Sequence, residues 1–157
     1  MVRIMLVLLA AIAWSSPGRA GPKEDAQAAY DKFFPAFVAG NYDQVAGSFA
    51  PDALFYGTLS PVLVTTPEGV HQYFKAALSS PATVKATPLS STALVLSDSV
   101  VLISGTWQVE RVLDGKTATG GPFRISVVMA KRGDRWMIAQ FHNSPRPMPP
   151  APAPVAK

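Results

Sequence analysis

The sequence predicts an α+β fold, with N-terminal helices packed on one face of a strongly curved, mostly antiparallel sheet. Two apolar patterns of helical period occupy residues 24–39 and 67–78, and four long strand-like segments with tight turns between them follow Pro81. Helices first and strands afterwards is the order of a sheet covered on one side. The 157 residues are 48% hydrophobic and 15% charged, which excludes a disordered chain and suits one compact domain. With no cysteine, the chain has no disulfide framework, Cys-ligated zinc, iron–sulfur cluster or thiol nucleophile.

The elements follow in order. Met1-Val2-Arg3 precedes an apolar stretch from Ile4 to Trp14, and Gly18-Arg19-Ala20 supplies small residues at a cleavage site. This is the pattern of a secretory signal peptide, since a spanning helix needs roughly 20 apolar residues. Cleavage is expected after Ala20, giving a periplasmic or secreted protein with no membrane attachment afterwards. The domain boundaries expected are 1–20 for the signal peptide, 21–144 for the folded domain and 145–157 for a Pro/Ala-rich tail that holds six of the 15 prolines.

From Glu24 to Ala39, apolar Ala26, Ala29, Tyr30, Phe33, Phe34, Phe37 and Val38 form an aromatic helical stripe. Pro35 is expected to kink it or end its regular part. Gly40-Asn41 closes this helix and caps a short second one, which Pro51-Asp52 stops. Extended pieces are expected over Ala53–Leu59 and Val62–Thr65. Thr66-Pro67-Glu68 then opens a helix carrying Val70, Tyr73, Phe74, Ala77 and Leu78 on one face. Strands are expected over about 83–96, 99–113, 122–132 and 135–143, separated by turns at Ser97-Asp98, Asp114-Gly115 and Gly133-Asp134, and Gly120-Gly121, leading into a strand, also reads as a turn. In the second of these strands both alternating sets are partly apolar, so the outer sheet face calls for a partner, and a homodimer or larger homo-oligomer through the sheet is expected.

Three segments together resemble the nuclear transport factor 2-like superfamily: Gly40-Asn41-Tyr42-Asp43 through Phe49-Ala50-Pro51-Asp52-Ala53, Thr58-Leu59-Ser60 with Tyr73-Phe74, and Gly133-Asp134-Arg135-Trp136-Met137-Ile138 leading into Phe141-His142-Asn143-Ser144. The branch they look most like is the association (hub) domain of calcium/calmodulin-dependent kinase II and its free-standing bacterial relatives. The resemblance implies a cone-shaped fold, a pocket between helices and concave sheet, and assembly through the sheet. It points to His142-x-Ser144 and Arg124 as family positions. Val127 and Asn143 stand at two places where hub domains carry arginine.

Candidate site residues follow. His142 is the candidate base or ligand contact, histidine being the side chain most used for proton transfer. Arg124 would fork onto a carboxylate, although alternation sets it opposite apolar Phe123, Ile125 and Val127. Tyr30, Tyr56, Thr58 and Trp107 would line the pocket with aromatic walls and donors, and Ser144 closes the set. Nearly all ten acids lie at helix starts or turns, so proton abstraction rests on His142 alone. With two histidines and no HxH or HExxH spacing, no metal site is expected. No cofactor is expected either. The only dense basic group, Lys131-Arg132-Gly133-Asp134-Arg135, reads as a hairpin turn, and loss of Arg3 and Arg19 leaves 12 basic against 10 acidic residues, so no nucleic-acid partner is expected.

Three functional readings remain open. The first is an exported, oligomerising association or binding domain for a small carboxylated or hydrophobic ligand. The second is an enzyme of the isomerase or cyclase type, similar to polyketide cyclases or ketosteroid isomerase, with His142 as base and Tyr56 or Tyr30 as donor. The third is an interaction domain with a filled core.

Overall fold

The computed structural model describes residues 20–147. Residues 1–19 of the expected signal peptide and the tail beyond Pro147 lie outside the described residues. Among the described residues no helix is long and apolar enough to cross a membrane.

The first helical pattern splits in two. Helix α1 spans Pro22–Asp31 and α2 spans Phe33–Val38, with Lys32 between them. Pro35 is the cause, because it has no N–H for the Asp31 carbonyl and its ring crowds that oxygen. Helix α3, Tyr42–Ala46, starts where Asn41 accepts the Gln44 N–H at 3.0 Å. Helix α4, Pro67–Leu78, starts where Thr66 accepts the Gly69 N–H at 3.1 Å, with Pro67 in the first turn.

Strand β1 spans Phe49–Tyr56 and thus begins before the expected Ala53. Pro51 does not stop it, since β1 is an edge strand whose register breaks between Phe49 and Leu54, where a missing N–H costs no ladder bond. Burial of Phe49 and Ala50 favours the longer strand. Of the second expected extended piece, Val64 forms a bridge to Phe55. The remaining strands are β2 (Thr83–Ser97), β3 (Val100–Leu113), β4 (Lys116–Arg132) and β5 (Arg135–Pro145). Gly120-Gly121 is not a turn but part of β4, and the reversal lies at Asp114-Gly115, both at positive φ.

The sheet order is β1-β5-β4-β3-β2, with only the β1–β5 pair parallel. Register breaks interrupt each pairing, including one between Val128 and Met129 opposite β5. Such bulges bend a sheet and raise its twist. The inner face carries Val101, Ile103, Trp107 and Val109 of β3, Ile125, Val127 and Met129 of β4, and Ile138 and Phe141 of β5, all buried. Against it lies an aromatic cluster centred on Phe33, whose ring is 5.6–6.2 Å from those of Tyr30, Phe34, Phe37, Phe74 and Phe141.

Among the described residues no helix covers the outer face. Its cross-strand rows run Leu94-Leu102-Val128-Gln140-Leu54, then Thr92-Ser104-Ser126-His142-Tyr56, then Ser90-Thr106-Arg124-Ser144. Leu94 is 58% and Leu54 46% exposed.

Phe33 joins the helices to the sheet, so Phe33→Ala is expected to cost about 3–5 kcal/mol. Urea unfolding checks this, and a loss below about 1 kcal/mol would show that the cluster is not what seats the helices.

Candidate functional site

A cavity of about 190 Å³ lies between the helices and the inner sheet face. Phe33 and Phe37 of α2 and Tyr73, Phe74 and Ala77 of α4 form its helical wall. Trp107, Val109 and Arg111 of β3, Phe123 of β4, and Phe141 and Asn143 of β5 form its floor, while Gly57, Thr58 and Leu59 reach in from the loop after β1. Leu59, 80% exposed although it touches the cavity, marks the mouth.

One polar relay crosses this apolar surface. The Trp107 indole N–H donates to Asn143 Oδ1 at 2.7 Å, and Asn143 Nδ2 donates to Thr58 Oγ1. Asn143 is the only buried polar or charged residue among those described, and both ends of its amide are engaged. The relay ties β3, β5 and the loop after β1 together. Gly57 is required beside it because a Cβ there would sit 2.3 Å from the Tyr73 ring. The Tyr73 hydroxyl in turn accepts the Leu59 N–H at 3.4 Å, holding the mouth loop to α4.

Of the residues expected to form the site, the structure brings Thr58 and Trp107 together. The others it does not. His142 is exposed on the outer face, with its ring 6.0 Å from that of Tyr56, and both point away from the cavity. Arg124 and Ser144 face each other across β4 and β5 on that same outer side. The expectation that the imidazole looks into the hollow is therefore corrected, and with it the placing of Tyr56, Arg124 and Ser144 there. The reason is local: Gln140 pairs with Val128 but Ile138 pairs with Met129, so Ala139 is an extra residue. One extra residue reverses which side chains face in. Ile138 and Phe141 are both buried, and the inward set passes to Phe141 and Asn143 while His142 turns out.

Tyr30 is buried in the aromatic cluster and does not line the cavity; its hydroxyl has no hydrogen-bond partner. Burial first, and the nearby Asp31 charge second, push its ionisation well above the ordinary tyrosine range, so it stays protonated. His71 also lies elsewhere, with Nε2 2.7 Å from Asp43 Oδ1 between α3 and α4. In the basic hairpin, Arg132 donates to Asp52 at 2.9 Å, and that hydrogen bond holds the exposed carboxyl below its usual range.

Of the polar and charged residues that line the cavity, Asn143, Arg111 and Tyr73 were not among the candidates. Arg111 was legible in principle, since it shares the odd-numbered phase of Val101, Ile103, Trp107 and Val109. The lining contains neither a carboxylate nor an imidazole. No group of three or more His, Cys, Asp or Glu among the described residues is placed to hold a metal ion.

Comparison with known proteins now has a geometry to be set against. The SnoaL-like domain profile matches residues 26–149. No curated protein matches the sequence. Among solved structures, a candidate calcium/calmodulin-dependent protein kinase II association domain from Xanthomonas campestris superposes with a TM-score of 0.70 at 24% identity, covering 92% of this chain and 99% of that one. A candidate dehydratase of the NTF2-like family from Streptomyces avermitilis gives 0.70 at 13% identity, covering 80% and 97%. A protein from Catenulispora acidiphila, solved in complex with S-DNPA, gives 0.68 at 16% identity, covering 77% and 90%. At these identities the likeness is one of fold.

Asn143→Leu would leave the Trp107 N–H buried without an acceptor, and about 1–3 kcal/mol of stability is expected to be lost. Adding Trp107→Phe removes that donor, so the double variant should lose less than the sum of the two single ones. Urea denaturation of the four proteins in the cycle measures the coupling; strict additivity would show that the relay does not hold Trp107.

Proposed function

This chain belongs to the SnoaL-like domain family of the NTF2-like superfamily, and from that premise we propose that it is an exported binding domain whose cavity holds a small, largely apolar ligand. The observation that carries this is the cavity itself, walled by aromatic rings and anchored by a single internally satisfied polar relay.

The cyclase or isomerase reading needs a proton acceptor facing the ligand. His142 was its candidate, and His142 faces the other way. Binding is therefore the reading that this geometry supports better. The filled-core reading conflicts with the cavity. Export rests on the signal-peptide pattern of residues 1–20.

The outer sheet face supports a second part of the proposal, self-association through the sheet. Leu54, Leu94, Leu102 and Val128 form an apolar row beside small hydroxylated residues, and across both Arg124 is the one formal charge in the three cross-strand rows. A surface of that kind suits an isologous contact, in which each patch meets its own copy.

Two experiments test these parts separately. A thermal-shift screen against small aromatic and aliphatic compounds is expected to yield binders; at 100 times its dissociation constant a binder stabilises by about 2.7 kcal/mol. Ala77→Leu, which fills the cavity from α4, should raise the stability of the unliganded protein and abolish the shift. If wild-type and filled proteins respond alike, the cavity is not the binding site. For association, light scattering should give a dimer or larger species, and Leu102→Arg should reduce it to the monomer mass. A monomeric wild type at micromolar concentration would refute the sheet-face contact.

A further inference from the structure

Arg111 is the one charged side chain in the cavity wall. It lies on β3 two residues past Val109 and one turn of the pleat beyond it, partly buried, with Val84 and Ala118 as its cross-strand neighbours. A guanidinium remains charged at any working pH, and partial burial weakens its contact with water. Its natural compensation is a carboxylate, yet among the described residues none pairs with it. All ten acidic residues fall within the described segment, and the ion pairs there join Asp43 to His71, Asp52 to Arg132 and Glu110 to Lys85. Glu110, its nearest acid in sequence, has the opposite strand phase and sits 3.8 Å from Lys85. Among the described residues Arg111 makes no side-chain hydrogen bond either, in contrast to Arg132, which donates to both oxygens of Asp52.

A cationic residue in the lining of a largely apolar chamber selects for a ligand that combines an anionic group with a hydrocarbon body. We propose that Arg111 receives the anionic group of the ligand, so that the cavity takes a small amphipathic carboxylate whose ring or short chain lies against Phe33, Trp107 and Phe141. The two N–H groups of the guanidinium fork match the two oxygens of a carboxylate, which a lysine could not reproduce. The Asn143 relay is satisfied within the protein, so the aromatic part of the wall suits a hydrocarbon rather than a second polar group. Arg124, the arginine that strand position and family resemblance single out, has no part in this because it faces the opposite side of the sheet.

This inference rests on the cavity reading above, and matched ligand pairs keep the two separable. The full chain is titrated by calorimetry with 3-phenylpropanoate, 2-naphthoate and octanoate, and with the amide of each acid. The wild type is expected to bind at least one acid tenfold or more tighter than its amide. Arg111→Gln should erase that preference by weakening the acid alone, and Arg111→Lys should restore it in part. Added sodium chloride should weaken the acid and leave the amide unchanged. Acid and amide bound equally well by the wild type, or an acid unaffected by Arg111→Gln, overturns the role of Arg111 and leaves the cavity reading standing. If no acid and no amide binds the wild type, both fall together. Circular dichroism of the two variants verifies that they are folded, as expected for a partly exposed side chain near a hairpin.

Discussion

The contact on which the rest depends is the one between the Phe33 ring and the inner sheet face at Phe141. The helices of this domain cover a sheet whose outer side also carries an apolar row, so something has to decide which side they take. Phe33 reaches Phe141 and Phe74 at once, linking α2, α4 and the closing strand in a single aromatic cluster. Beside that contact the cavity opens over Trp107 and Asn143, which are hydrogen-bonded to each other, while the Trp107 ring also packs edge-on against Phe34 and Phe37 of α2. The chamber thus depends on a packing contact on one side and a hydrogen bond on the other.

Much of the architecture was legible in the chain. The caps at Asn41 and Thr66, the interruption caused by Pro35 and the four long strands all follow from local chemistry, and the fold class follows from their order. Beginning β1 at Phe49 was less accessible, because Pro51 normally argues against a strand and is tolerated here only at a sheet edge. Gly120-Gly121 misled for a similar reason: two glycines read as a reversal, whereas Gly121 serves to let the backbone of β4 approach the Trp107 carbonyl.

The site was much less legible, and the reason is a matter of phase. Along β5 the alternation begun at Trp136 and Ile138 would carry His142 inward if nothing intervened. The extra residue at Ala139 moves the inward set to Phe141 and Asn143, and no side chain in that stretch announces a bulge. On β4, by contrast, alternation correctly sets Arg124 opposite the Phe123, Ile125 and Val127 face. A side chain's direction was thus predictable where the pairing was regular and lost where it slipped by one.

The slip at Ala139 also divides the genetics of the closing strand. Neighbours in sequence from Phe141 to Ser144 answer to different selective demands: the odd positions to whatever occupies the chamber, the even ones to whatever the sheet exterior meets. On the binding and self-association proposed above, substitutions one position apart would act on one property and leave the other alone, so cargo could be exchanged without rebuilding the quaternary form.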